Sequence, residues 1–168
     1  IGTGTLIDSA RFRQLLADQV GVHPADINAY ILGEHGDSQF AALSVASCGG
    51  EFVDATPSRQ KMVEDAKQSA WTIFHAKGYT NYTVSLAVAM IVRSIVEDLR
   101  STMPVSVWID GFGDVHECCL SVPCVIGREG VLRRLRPRLN EQELRAFQRC
   151  ALVVQRQLEQ TERRARPD

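Results

Sequence analysis

The chain has 168 residues, 45% of them hydrophobic, which is enough for one well-buried core and too little for two comfortable domains. Nineteen Lys and Arg against twenty Asp and Glu leave a formal net charge of −1, so no whole-chain field favours nucleic acid or an anionic membrane. The longest strongly apolar stretch, Val84 to Val96, is broken by Ser85, Arg93 and Ser94 and falls short of the roughly 20 residues that span a bilayer, so it reads as a buried helix.

Five cysteines, Cys48, Cys118, Cys119, Cys124 and Cys150, form an odd set at irregular spacing. That argues against a secreted disulfide framework and for a reducing, cytoplasmic setting. His116 stands near three of them, but the run from Val115 to Ile126 reads as extended. Neighbouring strand residues point to opposite faces, so no metal site is expected. The amino-terminal Ile1-Gly2-Thr3-Gly4-Thr5 has no Met, basic region or cleavage-type pattern, and reads as a chain cut within a longer protein. Gly2-Thr3-Gly4 also lacks the third glycine and the preceding strand of a dinucleotide-binding loop.

In chain order, Asp8 or Ser9 is expected to cap a first helix that runs to about Val20, with Phe12, Leu15, Leu16 and Gln19 at helical spacing and Gly21 as its stop. Ile27 to Leu32 reads as a single strand. Pro57 suits the first turn of a second helix reaching about Lys77, with Met62, Ala66, Ala70 and Ile73 on one face and Gly78 as terminator. A third helix is expected over about Tyr82 to Arg100. Beyond Pro104, Val105, Val107 and Ile109 alternate with other residues, and Gly111 and Gly113 turn the chain into a second extended run near Val115 to Ile126. The pair should be antiparallel. Asn140 and Glu143 form a capping-box start for a last helix, in which Leu144, Phe147, Ala151, Val154 and Leu158 mark a buried stripe.

Helices and strands thus come in blocks, and the fold class is α+β, with helices packed on antiparallel strands and no doubly wound sheet. The basic runs Arg133 to Arg138 and Arg163 to Arg166 carry no interleaved aromatics or reading motif. They read as solvated helix ends and a frayed basic tail at 163–168, not as a nucleic-acid patch.

Gly33-Glu34-His35-Gly36-Asp37-Ser38 follows the first predicted strand and sets a histidine in a permissive, exposed loop. Alone, such a histidine is more often silent than catalytic. Asp8 and Arg11 stand three apart at the start of the first helix and share one part of its surface. Two readings stand. One is a helix cap with a surface ion pair. The other is a carboxylate that orients an imidazole, beside a guanidinium that forks onto a substrate carboxylate.

Leu6-Ile7-Asp8-Ser9-Ala10-Arg11-Phe12-Arg13, Gly33 to Ser38 and Lys77-Gly78-Tyr79-Thr80 resemble, in order and spacing, three signatures of the L-lactate dehydrogenases within the lactate/malate dehydrogenase family. Ser121-Val122-Pro123-Cys124-Val125-Ile126-Gly127 resembles a fourth, so the likeness runs from Gly2 to about Leu158. The resemblance implies a C-terminal catalytic domain over residues 1–162, with no Rossmann domain present and Ile1 near the boundary to it. It implies His35 as the proton-shuttling histidine, Asp8 as its carboxylate partner, Arg11 as the clamp on the substrate carboxylate, Thr80 as a substrate-pocket residue and Val84 as a neighbour of the nicotinamide. It further implies NAD, held mainly by the absent amino-terminal half, a small 2-oxo or 2-hydroxy acid, and a homo-oligomer, dimer or tetramer.

Lactate and pyruvate are favoured because Gly-Glu-His-Gly-Asp-Ser resembles the lactate enzymes more than the malate enzymes; a malate-type domain and a non-catalytic assembly module are the alternatives. In the family, a second arginine and the residue that selects the substrate lie on a mobile loop of the other half, so the isolated chain is expected to be inert. Bacterial members bind fructose 1,6-bisphosphate with an arginine and a histidine; Arg13 matches the first, whereas Asn28 takes the second place without positive charge. Phe40-Ala41-Ala42-Leu43-Ser44 also departs from the family's usual Pro-Val-Trp-Ser pattern.

Overall fold

A computed structural model describes residues 1–165 of the chain. The first helix, α1 (Leu6–Val20), starts earlier than the expected cap: its N-cap is Thr5, and Gly21 closes it in the left-handed conformation. Asp8 and Ser9 lie inside the first turn and are buried. Neither caps the helix, because both side chains are taken by partners elsewhere in the fold. The Ser9 hydroxyl accepts from the Ile31 N–H at 2.9 Å and donates to the Ile31 carbonyl at 3.2 Å. The Thr5 hydroxyl donates to the same carbonyl at 2.6 Å.

Those bonds explain why the expected strand from Ile27 to Leu32 is in fact two. β1 (Ile27–Asn28) pairs with β4 (Ser47–Cys48), which pairs with β5 (Glu51–Phe52). β2 (Ile31–Leu32) pairs instead with β3 (Phe40–Ala41). Between them the chain turns Ile31 towards the hydroxyls of α1, so a helix supplies the hydrogen bonds a sheet neighbour would have given. Phe12, Leu16, Ala17, Ile27, Ile31, Leu43 and Val63 form one hydrophobic cluster around this junction.

α2 (Pro57–Lys77) has the expected bounds, with the Thr56 hydroxyl accepting from the Arg59 N–H and Gly78 left-handed at its end. Its expected inner face is buried only in part. Ala66 is buried and Met62 half-buried, whereas Ile73 is exposed, and the side chain of Ala70 lies outside the described residues. α3 (Asn81–Val96) ends four residues before the expected Arg100, where Asp98 and Arg100 take positive φ. Nor is it a buried helix throughout. Ala87, Ile91 and Ser94 face the sheet, and Tyr82, Val84, Leu86, Val88, Met90, Val92 and Val96 are exposed. Apolar content alone does not say what a helix packs against.

The larger sheet is antiparallel, in the order β6 (Ser101–Ile109), β7 (Cys118–Gly127), β8 (Gly130–Arg134). Pro104 does not precede β6 but lies within it, opposite Pro123. Two residues on, Ser106 exchanges both backbone bonds with Gly2 on the sheet's outer edge, so Pro104 turns its missing donor to that edge as well. β8 corrects the reading of Arg133 and Arg134 as a solvated helix end: they lie exposed on an edge strand, where basic side chains discourage further pairing. Cys118 and Cys124 point into the core and Cys119 away from it.

The capping box of α4 (Glu141–Ala165) is complete: the Glu143 N–H donates to Asn140 Oδ1 at 2.9 Å and the Asn140 N–H to Glu143 Oε2 at 3.1 Å. Phe147, Cys150 and Ala151 are buried, but Leu158 is exposed. The helix runs on through Arg163 and Arg164, part of the expected tail; residues 166–168 lie outside the described residues. With α3 and the large sheet, α4 encloses a second cluster that includes Leu6, Val105, Leu120, Val122 and Phe147. The architecture is α+β with antiparallel sheets, as expected.

The Ser9→Ala variant leaves the Ile31 N–H buried without its acceptor. We expect a loss of about 1–3 kcal/mol in urea unfolding, the usual cost of an unsatisfied buried group; an unchanged midpoint would mean that the hydroxyl does not hold β2 to α1.

Candidate active site

The same seating of α1 brings Asp8 under the loop that follows β2. Asp8 Oδ2 lies 2.8 Å from His35 Nδ1. The carboxylate side chain is only 3% exposed, whereas that of His35 is 65% exposed. A buried carboxylate thus holds the inner nitrogen of an imidazole whose outer edge meets solvent. The hydrogen bond that His35 donates to Asp8 holds its pKa above the ordinary value, with partial burial and the charge of Arg11 pulling the other way. Arg11 Nη1 stands 4.0 Å from the other oxygen of Asp8, close enough for charge attraction and too far for a hydrogen bond. Its guanidinium therefore keeps donors free for an anion.

The loop carrying His35 is fixed at both ends. Gly33 exchanges two backbone hydrogen bonds with Ser121 of β7, at 3.0 and 2.7 Å, and has a φ of 94°. A side chain there is excluded twice, by backbone conformation and because a Cβ would lie 2.3 Å from Cys150 Sγ. The Ser38 hydroxyl closes the loop by donating to the Glu34 carboxylate. Ser121 also accepts from the Thr5 N–H at 3.0 Å, tying the start of α1 to the same strand.

Of the residues singled out from the sequence, Asp8, Arg11 and His35 are brought together. Thr80 is the half-buried N-cap of α3, and its side chain makes no capping bond. Val84 lies on the first turn of that helix, 42% exposed. Arg13 donates to the carbonyl of Ala29 at 3.5 Å, beside the exposed Asn28, so these two also come from one neighbourhood. No local pattern singles out Thr5 as an anchor, or Cys150 and Ser121 as supports of the histidine loop. Ser121 could have been found only from the fourth segment, and Cys150 only from its place in the apolar stripe of α4.

A cavity of about 430 Å³ between β3 and the starts of α2 and α4, lined by Gln39, Leu43, Gln60, Glu143 and Arg149, includes neither His35 nor Arg11. His35 instead meets solvent directly, on top of the buried Asp8.

Comparison with known proteins matches residues 5–165 to the lactate/malate dehydrogenase, alpha/beta C-terminal domain. The chain is 41% identical over 163 residues to an L-lactate dehydrogenase of Salinibacter ruber, covering 92% of this chain and 52% of that protein. It is 39% identical over 160 residues to an L-lactate dehydrogenase of a Synechococcus species, with the same coverage of 92% and 52%. Among solved structures, an L-lactate dehydrogenase from Clostridium thermocellum superposes with a TM-score of 0.89 at 32% identity, over 95% of this chain and 55% of that one. The chain spans about half the length of the curated relatives it matches. With helices, antiparallel sheets and motif order all in agreement, the chain belongs to the lactate/malate dehydrogenase family, as its alpha/beta C-terminal domain.

Proposed function

We propose that this chain is the substrate-binding, acid–base half of an NAD-dependent L-2-hydroxy-acid dehydrogenase that interconverts pyruvate and L-lactate. The observation that carries the reading is the contact of 2.8 Å between the exposed His35 and the buried Asp8, with Arg11 at the carboxylate's other oxygen. With Nδ1–H committed to Asp8, Nε2 is the nitrogen left to work. Protonated, it donates to the carbonyl oxygen of a 2-oxo acid; neutral, it accepts the hydroxyl proton of a 2-hydroxy acid. Asp8 fixes the tautomer and favours the imidazolium. Arg11 takes the substrate carboxylate through two parallel N–H bonds, which a lysine could not offer. Thr80 borders the same substrate. The names of the relatives favour lactate over malate.

When bound, NAD supplies the hydride chemistry. The residues here fit one wall of its site and no phosphate cradle. Val84 and the exposed α3 face offer apolar surface for the nicotinamide ring. Gly2, by contrast, pairs with Ser106, and a Cβ on Gly4 would lie 2.2 Å from Ser121 Oγ, so both glycines serve the sheet. The cradle belongs to an amino-terminal nucleotide-binding half, whose packing would cover α3, and the 168 residues alone should be inert. The substrate is a small 2-oxo or 2-hydroxy acid, and the working protein is a homo-oligomer, dimer or tetramer, in the cytoplasm, where the free cysteines stay reduced. Arg13 beside Asn28 offers one cation, too little for a strong bisphosphate effector site.

In the full-length enzyme, His35→Gln should lower kcat for pyruvate reduction by about 10²–10⁴, the usual loss on removing a general acid. Near-normal turnover in a folded variant rejects the assignment. Because Asp8 raises the His35 pKa, pyruvate reduction should hold through the ordinary histidine range and fall only as pH rises through the raised value. Asp8→Asn should move that alkaline limb to lower pH. The same sign governs stability: the pair's contribution is fully present below the unfolded histidine value and is lost as pH rises through the folded one. A Tm-against-pH curve of Asp8→Asn should lack that decline, and a curve identical to the parent's would contradict the coupling.

A further inference from the structure

His35 sits on a loop of few residues, and proton transfer tolerates little displacement of the donor. What holds the neck of that loop is a side chain 112 residues away in sequence from Ser38. Cys150 of α4 is fully buried, and its Sγ donates to the Ser38 carbonyl at 3.1 Å. Gly33, at the start of the loop, packs against the same sulfur. One thiol therefore touches the residue two before His35 and the residue three after it. Burial raises the Cys150 pKa, so the sulfur keeps the proton it donates.

The fit around it is close. Gly33 lies so near that any Cβ would meet Cys150 Sγ at 2.3 Å and Phe40, the start of β3, at 3.6 Å, and Phe40 packs edge-on against Phe147, one turn back along α4. The Glu34 carboxylate, bonded to the Ser38 hydroxyl, folds over Gly36, where a Cβ would lie 2.2 Å from Oε1. Glu34 closes the loop from the solvent side, and Cys150 closes it from the core.

We propose that Cys150 is a positioning residue for His35: its thiol bridges the two ends of the loop and keeps Nδ1 in line with Asp8. This rests on the acid–base reading of His35 and adds a requirement placed on α4. Cys150 touches neither substrate nor cofactor, so its removal should act through the geometry of the imidazole. In the full-length enzyme, Cys150→Ala should lower kcat for pyruvate reduction by about tenfold with little change in KM, since a displaced donor weakens the transition state more than substrate binding. Cys150→Ser, which keeps a donor and an acceptor in nearly the same place, should restore most of that loss.

A second readout does not depend on turnover. In ¹³C-histidine NMR of the same protein, with the His35 signal assigned by its disappearance in His35→Gln, Cys150→Ala should lower the His35 titration midpoint and Cys150→Ser should return it. A lowered midpoint supports the clamp even if His35→Gln retains activity, in which case the acid–base reading fails separately. If Cys150→Ala loses thermal stability while keeping both the parental midpoint and the parental kcat, the thiol is only a packing group and the proposal is overturned.

Discussion

Ile31 is buried with its N–H and C=O turned away from any sheet neighbour, and two hydroxyls of a helix satisfy them. An unpaired backbone group at such depth costs about 1–3 kcal/mol, so Thr5 and Ser9 fix where α1 lies along β2. Asp8 stands between these two anchors in sequence and inherits their precision. Its carboxylate is thereby buried at one definite point under the loop that β2 leads into. Half of the candidate site comes from a helix and half from a loop 27 residues later, and the Ile31 junction sets the distance between them.

A buried carboxylate is costly unless something charged or polar answers it. Here the answers are His35 at hydrogen-bond distance and Arg11 at 4.0 Å. The pair does opposite things to the imidazole. Asp8 favours its protonated form, while Arg11 opposes it. The balance leaves the His35 pKa above its ordinary value, in the direction the proposed proton donor requires. The cation that tempers it stands too far from Asp8 to form a hydrogen bond there, and under the proposed function it would take the substrate carboxylate. β7 and α4 hold the other side of the loop, through Ser121 and Cys150, so the imidazole is supported from two layers of the fold.

Local chemistry was legible where a residue serves its own element. Pro57 and Gly78 bound α2, Asn140 and Glu143 cap α4 reciprocally, and the alternation of Val105, Val107 and Ile109 marks a strand. It failed where a residue serves a distant one. Asp8 and Ser9 look like caps, yet their side chains are spent on His35 and Ile31. The alternation is legible only beyond Pro104, yet Pro104 itself lies in the strand, in a register that turns its missing donor outward. β8 was hidden because an edge strand rich in arginine has the composition of a solvated loop. For the site, the motifs around Asp8, Arg11 and His35 identified the parts; the contacts that align them, above all Thr5 and Cys150, left no mark in spacing.

The exposed stripe from Tyr82 to Val96 also follows from this division. Ala87, Ile91 and Ser94 of α3 are buried against the sheet and Ile95 packs partly there, while much of this apolar helix stays exposed; under the proposed function the nucleotide-binding half would cover it. The account nevertheless turns on a smaller contact, the bond between Asp8 and His35. Its most direct test is ¹⁵N NMR of His35 above its titration midpoint, where the neutral ring must choose a tautomer. The account predicts that the proton remains on Nδ1, facing Asp8, and leaves Nε2 bare. A neutral ring protonated on Nε2 would contradict it.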